Sequence, residues 1–507
     1  MSDAAAMLAG LSPERRRLLE LLLQREREGA APAAHAVPRR AGAGPAPLSY
    51  TQQRLWLLHR LDPEGSAYNI AGAVRLRGRL DAAALGRTLG EVVRRHEALR
   101  TTFAVEAGGV VQRVGEARPW ALPLVDLSDL PADGREAAAR SRVEEQARAP
   151  FDLARGPVLR TLLLRLDADD HVMALVTHHV VSDAWSMGVL VREVAALYAA
   201  YVEGEESPLA EPPVQYADFA AWEQDWLRGP AVAEQLAYWR HQLAGSPPPL
   251  ELPTDRPRPA ARSARGATET FTLPADTADA LRDLARSEGA TLFMVLLAGF
   301  KALLYRYTGQ ADVSVGSPVA GRSRAETEGL IGCFINTLVM RTRLSGDATF
   351  RELVGRVRET ALGAFANQDV PFQKVVEALR QENAALQPQL FNVWFVLQNA
   401  PHETLTAPGL SFSPYEVERG TSQFDLALMM GEDGARLAGA LDYDTDLFDA
   451  DTVAELLARF AHLLAQVAAR PDLRLLDVPL GPEEAEPAPP STRGAAEDFA
   501  AEDQFVL

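Results

Sequence analysis

The run His171-Val172-Met173-Ala174-Leu175-Val176-Thr177 leads directly into His178-His179-Val180-Val181-Ser182-Asp183-Ala184-Trp185-Ser186. Its first part is short, apolar and β-branched, which predicts a buried strand. Beyond Ser186, Leu190, Val194, Leu197 and Tyr201 recur at helical spacing and predict an amphipathic helix. Two adjacent histidines therefore stand where a buried strand gives way to a loop and then a helix. That junction belongs to a layered α/β fold. It is a place for chemistry, because the strand aims a side chain and the loop leaves room for a ligand.

Strand geometry sends neighbouring side chains to opposite faces. Only one of His178 and His179 then faces a given cleft, and the other faces packing. A metal reading needs a third ligand, and this stretch supplies only Asp183, so no metal is assigned. The pattern HHxxxD alone is a moderate signal.

Bulk composition narrows the classes. A chain of 507 residues has room for two to three domains. Its one cysteine, Cys333, excludes an intramolecular disulfide and a cysteine-rich metal site. A net charge of −18 argues against a surface made for nucleic acid or an anionic membrane. There is no apolar run of transmembrane length and no signal peptide, so the expected setting is the cytoplasm.

Composition shifts divide the chain. Residues 1–29 carry an amphipathic helix with Leu18, Leu19, Leu22 and Leu23 on one face, a candidate docking element. Residues 30–47, rich in Ala, Pro and Gly, read as a linker. Residues 48–222 and 223–480 read as two lobes of similar helix-and-strand content, and 481–507 as an acidic disordered tail. Predicted helices include 50–60, 81–96, 276–287, 292–307 and 451–468; predicted strands include 73–77, 101–105, 157–166, 313–316, 334–344 and 390–397.

Further motifs accompany the histidines. Ser49-Tyr50-Thr51-Gln52-Gln53-Arg54-Leu55-Trp56 resembles the first core motif of the condensation domains of nonribosomal peptide synthetases, and Arg95-His96-Glu97-Ala98-Leu99-Arg100 through Phe103 resembles their second. The stretch from His178 to Ser186 resembles the third. Tyr216-Ala217-Asp218-Phe219-Ala220-Ala221-Trp222, Ile331-Gly332-Cys333-Phe334-Ile335-Asn336-Thr337 through Arg341, and Asn367-Gln368-Asp369-Val370-Pro371-Phe372 are similar to the next three. The motifs come in the family's order over residues 47–480; the seventh is degenerate, with only Pro388-Gln389-Leu390-Phe391 near its place.

The resemblance implies an α/β (α+β sandwich) fold of two chloramphenicol-acetyltransferase-like lobes, a V-shaped pseudodimer with a central tunnel. Phosphopantetheine arms of a donor and an acceptor carrier protein enter it from opposite faces. The chain binds no cofactor of its own on this reading, and its partners are those carriers and other synthetase modules. The implied activity is amide formation between a carrier-bound acyl or peptidyl thioester and a carrier-bound amine. His179 is the carried-over catalytic residue, as base or positioner, and His178 the supporting one. Asp183 is structural, paired with Arg341, or with Arg343 on the same strand face. Ala184, Trp185, Ser317 and Asn336 are tunnel-lining candidates. Gly316 to Arg322 resembles a loop from the second lobe that floors the tunnel, and Ser422 to Asp425 lies near where a latch crosses between lobes. Arg54 and Arg100 are expected to hold the lobe interior together.

The chemistry fits: an α-amine has a pKa of about 7.7–8.0 and an unperturbed histidine one near 6.5, so an imidazole can take or hold the amine proton without a metal. The family usually has glycine where this chain has Ala184, which reads as a tolerated variant or as the mark of a specialised member: one that forms esters, takes an unusual donor or has weakened catalysis. An acyltransferase using soluble CoA or an alcohol acceptor stands open beside the amide-forming reading. A non-catalytic recruitment platform of the same fold is the rival from another class.

Overall fold

The computed structural model describes residues 36–481 apart from 43, 107, 261, 383–388, 399–405, 408, 416 and 418–419. The expected terminal helix, part of the linker, Pro388 and nearly all of the acidic tail lie outside the described residues. The first half of the chain forms strands β1 (Ala46–Pro47), β2 (Asn69–Gly78), β3 (Thr101–Glu106), β4 (Gly109–Val114), β5 (Leu124–Asp126), β6 (Leu159–Asp167) and β7 (Asp170–His178). Its helices are α1 (Tyr50–Leu61), α2 (Ala82–Arg95), α3 (Ala132–Arg148), α4 (Ala184–Glu203), α5 (Tyr216–Trp226) and α6 (Pro230–Leu243). The second half forms strands β8 (Gly266–Leu273), β9 (Asp312–Val319), β10 (Asn336–Arg343), β11 (Val393–Gln398), β12 (Thr406–Ala407), β13 (Leu410–Tyr415), β14 (Leu426–Asp433) and β15 (Arg436–Asp444). Its helices are α7 (Ala275–Ser287), α8 (Leu292–Thr308), α9 (Ala325–Glu328), α10 (Phe350–Ala366), α11 (Phe372–Glu382) and α12 (Ala450–Ala469).

Two six-stranded sheets carry the two lobes, in the orders β12-β13-β2-β7-β6-β5 and β10-β9-β11-β14-β15-β8. Strand β7 lies between β2 and β6, and every residue from His171 to His178 is buried. Burial on both faces is why this strand reads as a continuous apolar run. The expected lobe boundary at 222/223 falls inside α5, where Trp222 and Trp226 stack at 5.8 Å and continue the helix.

Helix α8 is the spine of the second lobe. A capping box on Thr291 starts it, Gly309 at φ 68° ends it, and residues 294–304 are all buried. One of them is Lys301, whose amine donates to the Met340 carbonyl at 2.6 Å and Thr342 Oγ1 at 2.7 Å; burial lowers its pKa to about 7. Among the described residues, α12 is long and apolar enough to cross a membrane, but Val453, Leu457, Phe460 and Leu464 pack it into this lobe's core.

The lobes share a sheet. Strand β13, from the second half, pairs antiparallel with β2 from Leu410↔Gly78 to Tyr415↔Ala73. Gln423 Nε2 adds a bond to the Ala67 carbonyl at 2.9 Å. The exchange depends on Gly78: its φ is +121°, and a Cβ there would lie 2.0 Å from the Gly409 carbonyl oxygen. Gly78→Ala is therefore expected to destabilise the protein by about 1–3 kcal/mol in urea unfolding. Amide-exchange protection in β13 should fall first, and full protection of β13 in a stable variant would contradict this.

Candidate active site

Strand β7 ends at His178, and His179 opens a short turn, His179–Val181. His178 is the packed member of the pair, 4% exposed, with the rings of His59 and Phe151 edge-on at 5.8 and 6.0 Å. Its Nδ1 accepts the Val180 N–H at 3.1 Å, which places the proton of the neutral ring on Nε2. Burial, then the charges of His179, His59 and Arg160, hold its pKa down to about 3, so it is neutral at working pH. His179 is only half-buried. Its backbone N–H donates to the Tyr68 carbonyl at 2.8 Å, and its Nδ1 lies 4.0 Å from Sγ of Cys333 in the second half of the chain.

Asp183 caps α4 and is 2% exposed. Its Oδ1 accepts the backbone N–H and the hydroxyl of Ser186, both at 2.7 Å, and its Oδ2 accepts the Phe334 N–H at 2.9 Å. Ser186 Oγ accepts in turn from the Gly332 N–H at 3.1 Å. The carboxylate thus ties the start of α4 to residues 332–334, the segment that brings Cys333 to His179. Tyr216 fixes the same segment: its hydroxyl donates to the Cys333 carbonyl at 2.6 Å and lies 2.7 Å from Ser49 Oγ. Gly332 is required here, since a Cβ would meet the Tyr216 ring at 1.9 Å.

The cation that answers Asp183 is Arg322. Its Nη2 lies 3.2 Å from Asp183 Oδ1 and 2.8 Å from Ser186 Oγ, and its side chain is 1% exposed. It also donates to the carbonyls of Leu330, at 2.8 Å, and Thr327, and its guanidinium sits 4.1 Å above the Phe334 ring. Gly321, at φ +63°, lets the chain reach this position, where a Cβ would lie 1.9 Å from the Phe334 carbonyl oxygen.

Arg341, the expected partner, is elsewhere. Its guanidinium pairs with Asp312 at 2.9 and 2.7 Å and donates to the carbonyls of Gln242, Ala244 and Gly245. Arg343 meets the same Asp312 at 3.4 Å. The reason is strand rise: β10 begins at Asn336 near the site, and at roughly 3.3 Å per residue Arg341 is already about 17 Å along it. Both arginines end beside the start of β9.

The other candidates divide. Ala184 is the first residue of α4 and exposed, so its backbone is helical and needs none of glycine's freedom. Trp185, 45% exposed, donates from Nε1 to the Glu328 carbonyl at 2.8 Å and pins α4 to α9. Ser317 is buried on β9, beside a crevice of about 440 Å³ lined also by Phe293, Pro318, Phe365 and Val396. Asn336 is a tie: Nδ2 donates to the carbonyls of Gln368 and Val370, both at 2.8 Å, and Oδ1 accepts from Thr337 and Phe372. Arg54 lies close enough to Cys333 for its charge to act on the thiol, whereas Arg100 donates to the Gly115 carbonyl, in a turn of the first lobe. Glu223, which no motif or spacing singles out, is buried beside α1, accepts the Tyr50 N–H at 2.8 Å and has its pKa raised by burial to about 7. Among the described residues, no three His, Cys, Asp or Glu side chains converge as metal ligands.

This geometry makes two outcomes measurable. Arg322→Ala leaves a buried carboxylate short of its cation and is expected to cost about 3–5 kcal/mol, with faster amide exchange at residues 332–334. Arg341→Ala should leave that exchange unchanged, and the reverse pattern would reinstate the Asp183–Arg341 pairing. His178 stays unprotonated in the fold down to about pH 3 and is protonated in the unfolded chain below about 6.5. Below pH 6.5 the unfolded state thus binds the extra proton, and stability falls as pH falls. In urea titrations between pH 6.5 and 4, His178→Gln should show a shallower slope by about one proton; an unchanged slope would contradict a neutral, buried ring.

A family model for the condensation domain matches residues 43–486. One of the linear gramicidin synthase proteins of Brevibacillus parabrevis is 49% identical over 86% of this chain, which spans 6% of that protein. Phosphinothricin tripeptide synthetase PhsC of Streptomyces viridochromogenes is 40% identical over 95% of this chain, which spans 44% of it. Among solved structures, the X-domain from teicoplanin biosynthesis is similar at TM-score 0.79 and 33% identity, covering 88% of this chain and 99% of its own. The SgcC5 protein of Streptomyces globisporus is similar at TM-score 0.72 and 33% identity, covering 84% of this chain and 100% of its own. The first condensation domain of the calcium-dependent antibiotic synthetase, at 23% identity and TM-score 0.73, shares the two-lobed chloramphenicol-acetyltransferase-like fold. The span of the family match and the identity of these relatives make the chain a member of the condensation-domain family.

Proposed function

We propose that the chain is an amide-forming condensation unit of nonribosomal peptide, or hybrid polyketide, assembly in the cytosol. A donor carrier protein presents an acyl or peptidyl thioester, an acceptor carrier protein presents an amine, and the two phosphopantetheine arms meet in a passage between the lobes. No cofactor of the chain's own enters this reading, and the other synthetase modules are its further partners. The observation that carries it is His179, a half-buried imidazole held at the seam of the two lobes beside Cys333, while its neighbour His178 is packed and neutral.

The amine nitrogen attacks the thioester carbonyl, the C–S bond breaks, and the nitrogen's extra proton must leave. His179 is the group placed to accept or hold that proton, and its passage to the departing thiolate completes the exchange of amide for free thiol. General-base help is worth about 10²–10⁴-fold. Fixing both reactants supplies more, since effective molarities reach about 10⁵ M. His178 and Asp183 do not touch the reacting atoms in this reading. They hold the turn that carries His179 and the segment that carries Cys333.

A second reading has a specific observation behind it. The teicoplanin X-domain, similar to this chain, has also been solved in complex with OxyB, and that comparison covers 89% of this chain at TM-score 0.77. A recruitment platform that binds a partner enzyme would share this fold. The intact HHxxxD segment, with His178 Nδ1 and both Asp183 oxygens hydrogen-bonded, favours catalysis.

Donor- and acceptor-loaded carrier proteins, incubated with the chain and followed by intact mass, separate these readings. The expected result is transfer of the donor acyl group to the acceptor-bound amine, reduced about 10²–10⁴-fold in His179→Ala at an unchanged melting temperature. Ala184→Gly should retain amide formation and lose about 1 kcal/mol or less of stability. Transfer that survives in His179→Ala at the wild-type rate would remove His179 from the reaction. Transfer to free small alcohols or amines from CoA thioesters, with none between loaded carriers, would favour the CoA-dependent or ester-forming acyltransferase.

A further inference from the structure

Strand β10 is the outer strand of the second lobe's sheet, so the backbone groups on its open edge need partners from elsewhere. Side chains supply them at its far end: Gln242 Nε2 donates to the Arg341 carbonyl at 3.0 Å, and Arg356 Nη1 to the Arg343 carbonyl at 3.1 Å. Between α6, the end of β10 and α10 lies a groove of about 610 Å³, lined by His241, Arg341, Thr342, Arg343, Arg356 and Thr360. Among the described residues, none that lines it is a carboxylate. Its volume is within the roughly 300–1,000 Å³ of small-molecule sites.

The groove is strongly cationic on a chain of net charge −18. Arg341 is consumed by Asp312 and three carbonyls. Arg343 is different: its side chain is 77% exposed, and its contact with Asp312 is a long 3.4 Å. Arg356 is exposed as well, and its bond to the Arg343 carbonyl sets the two residues side by side. That bond uses one N–H of a guanidinium that has five. The floor is polar: Thr342 Oγ1 accepts from the buried Lys301 amine at 2.7 Å and lies 3.3 Å from Thr360 Oγ1. Lys301, its pKa lowered by burial to about 7, is part-protonated at neutral pH, and an anion above Thr342 favours its charged form. Two adjacent guanidiniums match a group with two negative charges and several acceptor oxygens, which describes a phosphate monoester better than a carboxylate.

We propose that this groove binds a small phosphate-bearing molecule, its oxyanion held by Arg343 and Arg356 over the floor formed by Thr342 and Thr360. The proposal does not rest on the amide-forming reading, since the groove lies at the opposite end of β10 from Asn336 and shares no residue with the histidine site. The ion pairs it forms are exposed and therefore screened: the Debye length falls from about 10 Å at 0.1 M salt to about 3 Å at 1 M. Binding thus weakens as ionic strength rises.

Calorimetric titration of the full-length protein with inorganic pyrophosphate, at about 25 mM salt, tests this. Saturable binding of one pyrophosphate per chain is expected, weakened about threefold in Arg343→Gln and about tenfold in Arg343→Gln/Arg356→Gln. Both arginines are exposed, so the melting temperature should not change, and Arg343→Gln alone keeps the Arg356 bond to the backbone. Arg228→Gln, which removes an exposed cation from another surface, should bind as the parent does. Absence of saturable binding, or equal binding by the parent and the double variant, would overturn the proposal. So would poly-L-glutamate that binds the parent where pyrophosphate does not, because the occupant would then be an acidic protein surface.

Discussion

The Asp183 carboxylate is the interaction on which the rest of the site depends. A buried carboxylate is costly unless donors and a cation surround it, and here Ser186, the Phe334 N–H and Arg322 do so. Those partners come from three places: α4, the segment before β10, and the loop after β9. Satisfying one buried charge therefore fixes the strand-to-helix turn of the first lobe against two segments of the second. Removing one partner of such a pair costs about 3–5 kcal/mol, against a total domain stability of about 5–15 kcal/mol, so the clamp is part of the fold before it is part of any chemistry.

From that clamp the different states of the two histidines follow. The strand end buries His178 between His59 and Phe151 and commits its Nδ1 to the turn, which leaves a neutral ring with a structural task. The turn it stabilises puts His179 on the seam, where the other lobe supplies Cys333. The two lobes are held in register by more than this contact. Strand β13 crosses to complete the sheet that contains β7, so the sheet aiming the histidines is itself built from both halves of the chain.

Much of this was legible in the sequence, and the failures have physical causes. The strand-to-helix unit around His178, helix α8 with its Thr291 cap and Gly309 stop, and helix α12 were readable because periodicity and capping are local signals. Helix α3 was not, since it buries only Ala139, Val143 and Ala147 and its pattern is mostly Arg, Glu and Ala. Strand β13 was not, because its partner β2 lies more than 300 residues away and only tertiary pairing assigns it to the first lobe. The pairing of Asp183 with Arg341 failed on distance along a strand. The correct cation, Arg322, sat in a loop whose motif was recognised, but nothing local tells a loop arginine where its guanidinium ends. The buried Lys301 is of the same kind, a cation whose partners are set by a neighbouring strand.

The central claim is that Asp183 and Arg322 act as one cross-lobe unit, which holds the start of α4 to the segment that carries Cys333. A double-mutant cycle on stability, combining Asp183→Asn and Arg322→Gln, tests it most directly. A coupling energy of about 2 kcal/mol or more is the predicted result for a pair in direct contact, whereas costs that add to within about 0.5 kcal/mol would mean that the two residues stabilise the fold independently and that the clamp does not exist.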